Sequence, residues 1–153
     1  MTAAVLDFTR NYSLYSIPVA WMLSLAPHLY ASTLGQFDNK NPRTYTRDAE
    51  GDQKIDRATK AKIIRAEGAQ QNGFENIGLF ASAIVIGNVA KLDNYTLNSL
   101  AGGYLASRIV YNFLYINGTT NTAASARTLT FLTGVGMIWT LFIKSGNVLK
   151  DRL

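Results

Sequence analysis

The sequence predicts an all-α integral membrane protein built as a four-helix bundle. One observation is a set of four apolar stretches, at roughly 14–34, 72–89, 97–116 and 129–143. With their ends included, each is about the length a helix needs to cross a bilayer, roughly 17–25 residues. A second is where the charge goes. Eight of the fifteen basic residues lie between Lys40 and Arg65, alongside Asp38, Asp48, Glu50, Asp52 and Asp56. A third excludes the soluble alternative. A soluble bundle needs a charged outer face on each helix, yet 97–116 carries only Arg108 and 129–143 carries no charge.

The elements follow in order within one domain, 1–153. The first helix, 14–34, lacks the basic n-region and cleavage site of a secretory signal. Its Pro18 and Pro27 would break a soluble helix, but membrane helices tolerate proline. The second helix begins in polar turns near Thr59 and runs to 89; the third spans 97–116. The fourth begins near Ala123 and runs to 143. Trp139, Tyr12, Tyr15 and Tyr95 fall at helix ends, where aromatic rings anchor at the membrane interface. Gly134-Val-Gly136 suits close helix packing, because no strand precedes it as a phosphate loop requires.

Charge and composition narrow the function. The basic block is mixed in sign and holds one aromatic, Tyr45, so no nucleic-acid partner is expected. The block suits a solvated loop or a membrane surface. There is no cysteine and one histidine, His28, which excludes thiolate and multi-histidine metal sites within one chain. No serine has a convincing base partner, so a hydrolytic triad has no support. Nine basic residues sit in the first loop and the short third loop with Arg127, against five on the other side. The first loop is therefore expected in the cytosol and both termini opposite. The sequons at Asn11, Asn94 and Asn117 are short patterns that often match by chance.

Polar residues inside two of the helices point to a site. Helical residues step by about 100°, so Arg65, Gly68, Asn72, Glu75 and Asn76 fall within about 100° of arc. Gln70 points elsewhere, about 140° from Arg65. On the third helix Tyr104, Arg108, Tyr111 and Tyr115 form a similar stripe. A charge at mid-bilayer costs roughly 2.5–3.5 kcal/mol and persists when it pairs or lines a cavity. Two readings stay open. One is a buried Arg108–Glu75 ion pair that fixes helix register. The other is a polar cavity for an anionic or zwitterionic ligand, favoured by the three tyrosines and by Asn72 and Asn76. His28, within "LAPHLYAS", is more readily an interhelical hydrogen-bonding group than a catalyst.

The stretch "RAEGAQQNGFENIG" (R-A-x-x-x-x-x-N-x-x-E-N), "RIVYNFLY" (R-x-x-Y-x-x-x-Y), the Asn41-Pro42 step and "ART" at the fourth helix resemble the MAPEG family. These are membrane-associated proteins in eicosanoid and glutathione metabolism. The resemblance covers nearly the whole chain and implies a homotrimer of four-helix subunits in the endoplasmic reticulum or another intracellular membrane. It also implies glutathione as co-substrate, bound between subunits near the cytosolic side. Asn72 and Glu75 would hold its polar groups, with Gln70 contributing. Arg108, Tyr111 and Tyr115 match residues that line the site. Arg127 matches the arginine that stabilises the thiolate in catalytic members. Asn76, Tyr104 and His28 are secondary candidates. The chain departs from the pattern at Gly68, where many glutathione-using members carry an arginine. Arg65, one turn earlier, is the substitute on the same stripe. Arg127 lies twelve positions after Tyr115, a longer spacing than the family pattern suggests.

The expected function is a glutathione-dependent transferase, peroxidase or isomerase acting on a lipophilic electrophile from the bilayer. Two alternatives keep the pocket. One is glutathione-independent isomerisation or cyclisation of a lipophilic metabolite, and the other is non-catalytic lipid binding or scaffolding.

Overall fold

The computed structural model describes residues 9–152 and contains, among them, helices and no strands. Four long helices, α1 (Ser16–Ser32), α3 (Arg57–Val89), α4 (Asn94–Asn117) and α5 (Asn121–Leu149), lie against one another. A short helix, α2 (Tyr45–Gly51), interrupts the loop expected between the first two. The long helices overlap the stretches 14–34, 59–89, 97–116 and 123–143, with different ends. At 14–34 the helix is shorter, because a 3-10 turn at Ser13–Tyr15 precedes α1. At 123–143 it is longer at both ends.

Three starts have the same cause. Unpaired amides at a helix N-terminus take a side-chain oxygen as partner. Asp56 accepts from Ala58 N and Thr59 N, Asp93 from Thr96 N, and Thr120 from Ala123 N. The hydroxyl and amide of Thr59 hold the Asp56 carboxyl below its ordinary range, and the Thr96 amide does the same for Asp93. Their capping contributions are present above the ordinary carboxylate pKa and fade as pH falls through the lowered one. Helix α3 ends where Lys91 takes a left-handed conformation (φ 54°). Leu92 N then bonds back to Gly87 O, and Lys91 N to Asn88 O, the pair of bonds that closes a Schellman turn.

Helix α2 has no long periodic signal because its place is set by a tertiary contact. Tyr45 and Ala49, one turn apart, are both buried, and the Tyr45 hydroxyl donates to Ala31 O at 2.7 Å. With Ala31, Ile63 and Ala66 they form one core cluster, at the charged end of the molecule. The other cluster, Ala20, Phe80, Ala83, Ile84, Leu97, Ala101, Tyr104, Ile138 and Leu141, joins α1, α3, α4 and α5. Within it Phe80 and Tyr104 stack with centroids 4.0 Å apart. At the far end asparagines hold the N-terminal segment: Asn11 donates to Asn88, Asn98 to Arg10 O, and Asn94 to Thr9 O. Two of the three sequon amides, those of Asn11 and Asn94, are thereby engaged in holding that segment.

Of the helices, α5 is long and apolar enough to cross a membrane, and only 17% of its most apolar window is buried within the chain. The core helix of a soluble protein would be mostly buried. Large apolar side chains also face outward on α1, α3 and α4, among them Met22, Val85 and Phe113. Helix α3 has 33 residues, about 50 Å at 1.5 Å per residue. A hydrocarbon core is about 30 Å thick, so the charged N-terminal turns of α3 extend beyond it.

Two glycines of α3 differ in what a side chain would meet. A Cβ at Gly73 would lie 2.8 Å from Ser24 Cβ and 3.0 Å from its Cα, whereas one at Gly78 would meet open space. Gly73→Ala should therefore lower the thermal-unfolding midpoint, since overpacking costs about 1–3 kcal/mol. Gly78→Ala should raise it by the helix-propensity gain of about 1 kcal/mol. Equal effects at both positions would mean that α1 and α3 do not meet through Gly73.

Candidate functional site

The polar stripes of α3 and α4 meet along their contact. Arg108, 5% exposed, donates from Nη2 to Asn72 Oδ1 at 2.8 Å. Its guanidinium also lies over the Tyr111 ring, 4.3 Å from the centroid. Asn72 is held in turn, as Asn76 Nδ2 donates to the Asn72 carbonyl at 2.8 Å. The Arg108–Glu75 ion pair, one of the two readings of the stripe, does not form. Glu75 is exposed and accepts from Gln71 Nε2 of its own helix at 2.9 Å. A neutral amide suffices for the arginine because its charge is also met by an aromatic face, worth about 2 kcal/mol when desolvated.

The aromatic residues continue this line. Tyr111 meets Tyr115 edge to face at 5.5 Å, and the Arg127 guanidinium lies over the Tyr115 ring at 4.4 Å. Arg108, Tyr111, Tyr115 and Arg127 thus form one line from α4 to α5, two rings with a cation at each end. The predicted residues Asn72, Arg108, Tyr111, Tyr115 and Arg127 are brought together. Tyr104, on the same stripe, stacks on Phe80 in the core and does not line the adjoining cleft.

A cleft of about 1070 Å³ opens beside this line. From α3 it is lined by Ile64, Glu67, Gly68, Gln70, Gln71, Phe74 and Glu75, and from α4 by Tyr115. His28 contributes from α1, Pro42 and Arg43 from the first loop, and Thr46 from α2. Gln70 therefore reaches the cleft although it lies off the stripe, because the cleft curves round α3 toward α1. Glu67, Gln71 and Arg43 escaped the sequence reading. The sequence offers no sign that Glu67 meets His28, which lies 39 residues away on another helix.

Gly68 and Arg65 have definite places. A Cβ at Gly68 would stand 2.9 Å from the Tyr115 hydroxyl. The phenol of α4 therefore fills the space into which a side chain at this position would project. Arg65 does not line the cleft. Its Nε donates to Ile116 O at 2.8 Å, satisfying a carbonyl in the last turn of α4, where such groups lack helical partners. Arg65 thereby fixes the end of the helix one residue beyond Tyr115.

The pairing has a direct test. In double-mutant cycles read by thermal unfolding, Asn72→Ala and Arg108→Leu should couple by about 1.5–3 kcal/mol, the range for a hydrogen bond to a charged group. Glu75→Gln and Arg108→Leu should add within about 0.5 kcal/mol, as uncoupled sites do. Strong coupling of Arg108 to Glu75 instead would contradict the observed partners.

A family model for the MAPEG family matches residues 14–147. No curated protein and no solved structure matches the chain. The match runs from the turn before α1 almost to the end of α5 and takes in every residue of the cleft and of the cation–ring line. With nearly its whole length matched, the chain belongs to the MAPEG family of membrane proteins.

Proposed function

We propose that the protein is a glutathione-dependent transferase, peroxidase or isomerase for lipophilic electrophiles. It works in this reading as a homotrimer of transmembrane four-helix bundles. The observation that carries the proposal is the cleft: amides and carboxylates of the α3 motif border a line of tyrosines that ends in Arg127. Peptide groups need such donors and acceptors, and a thiolate needs a nearby cation. A guanidinium lowers a thiol's pKa, and the thiolate is the nucleophile.

The parts divide as follows. Glu75 and Gln71 lie exposed on the outer side of α3, where they meet the peptide together with a neighbouring subunit. Gln70 and Asn72 border the same region, with Asn72 held in place by Arg108. Arg43 offers a cation for a carboxylate, in place of the arginine absent at 68. Arg65 acts from behind, through the α4 terminus that carries Tyr115. Glutathione enters from the cytosol, at the charged end, and the termini lie across the membrane. The lipophilic substrate enters laterally from the bilayer of the endoplasmic reticulum or another intracellular membrane.

One observation favours a second reading. The Tyr115 hydroxyl stands over Gly68, and the cleft offers two carboxylates and one guanidinium of its own. That balance suits a less anionic ligand, and so a glutathione-independent isomerase or cyclase, or a lipid-binding protein without catalysis.

Calorimetry on the detergent-purified protein separates the readings. The parent should bind glutathione, and Glu75→Gln should weaken binding about tenfold to a hundredfold, the loss of one charge-assisted contact. Arg127→Ala should retain binding but lose the ultraviolet absorbance of the bound thiolate. No binding at millimolar glutathione would favour the second reading. Native mass spectrometry should show about 50 kDa of polypeptide, three copies of a 16.8 kDa chain in a closed ring. Monomer alone in a mild detergent would overturn the trimer.

A further inference from the structure

The cleft holds one group for which the glutathione reading has no use. His28 of α1 lines it, and its Nδ1 lies 2.8 Å from Glu67 Oε1 of α3. The ring also meets Phe37 edge to face, at 5.3 Å between centroids. A carboxylate at Nδ1 keeps the proton on that nitrogen and leaves Nε2 with the free lone pair. Among the described residues Nε2 has no hydrogen-bond partner. A fixed ring, a carboxylate behind it and an accessible basic nitrogen are the parts of a general base.

The surroundings fit that role. Arg43 approaches from the first loop, Glu75 lies two turns further along α3, and Tyr115 comes from α4. Tyr45 of α2 lies near enough to Glu67 that burial, and then the Glu67 charge, push its phenol above the ordinary value. Glu67 is also the neighbour of Gly68, over which the Tyr115 hydroxyl rests, and Tyr115 carries Arg127 on its ring. Tyr115 therefore lines the cleft that His28 enters from α1, and carries Arg127 on its ring.

We propose that His28 is the base that deprotonates the thiol of the peptide co-substrate, with Glu67 as the residue that positions it. The inference rests on the glutathione reading above. A free thiol has a pKa near 8.5, so at neutral pH it is mostly protonated and a poor nucleophile. In the proposed step the S–H bond breaks and its proton passes to His28 Nε2. The sulfur then attacks the ring carbon of an aryl chloride. The C–S bond forms, the C–Cl bond breaks, chloride leaves with the bonding pair, and the imidazolium returns its proton to water. Arg127 stabilises the thiolate between these events.

His28 is the only histidine in the chain, so its titration can be followed by imidazole NMR without assignment. The test uses the full chain in detergent, with glutathione and 1-chloro-2,4-dinitrobenzene. The acidic limb of kcat should coincide with the imidazole titration. His28→Gln should flatten that limb and lower kcat about a hundredfold or more, the usual worth of a general base, while the KM for glutathione changes little. Glu67→Gln keeps an acceptor for Nδ1 but removes the charge, so kcat should fall while the KM for glutathione changes little. Conjugation that keeps its rate and pH profile in His28→Gln would overturn the base and leave the glutathione reading intact. If His28→Gln does not fold, an unchanged kcat in Glu67→Gln would overturn it equally. A parent that neither binds nor conjugates glutathione would overturn both.

Discussion

A guanidinium nearly sealed between two helices must find its partners there, and the α3–α4 contact is built around that need. Removing a charged group from water costs several kcal/mol unless hydrogen bonds and nearby charge density replace the water. Arg108 has both, an amide oxygen from Asn72 and the face of Tyr111. Neither partner competes for the charge as a carboxylate would. Glu75 is consequently left on the outer surface, paired only with Gln71. The same satisfied arginine fixes the register of α4 against α3, and register fixes where Tyr115 falls.

Tyr115 then links the cleft to the line of rings and cations. Its hydroxyl occupies the space beside Gly68, and its ring carries Arg127. A β-carbon at 68 would displace that hydroxyl, so the glycine and the phenol belong to one arrangement. Arg65 completes it by holding Ile116 O, which keeps the last turn of α4 from fraying beside the cleft. A glycine that looks like a lost binding residue in the sequence is a packing partner in the fold.

Helix α3 also joins two environments. Its apolar half packs with α4 and α5 around Phe80 and Ile84, while its charged half packs with α2 around Ile63 and Ala66. The cleft lies near the change from one to the other. There a polar ligand from water and an apolar one from lipid can approach a common site.

The sequence by itself determined the long helices, the family and the polar stripes. Apolar length, scarcity of charge and the N-x-x-E-N spacing are local properties that need no knowledge of the neighbouring helix. Starts such as Asp56, Asp93 and Thr120 were equally open to it, because a cap contacts amides two or three residues away. The tertiary structure alone decided the pairings. Periodicity put Arg108, Asn72 and Glu75 on facing stripes but gave no axial register, and the register chose Asn72. It also decided α2, whose seven residues depend on a Tyr45–Ala31 bond across fourteen positions. It decided the His28–Glu67 contact as well, between residues 39 apart. Partners on different helices are fixed by the relative height and rotation of those helices, which side-chain packing sets and sequence spacing does not encode.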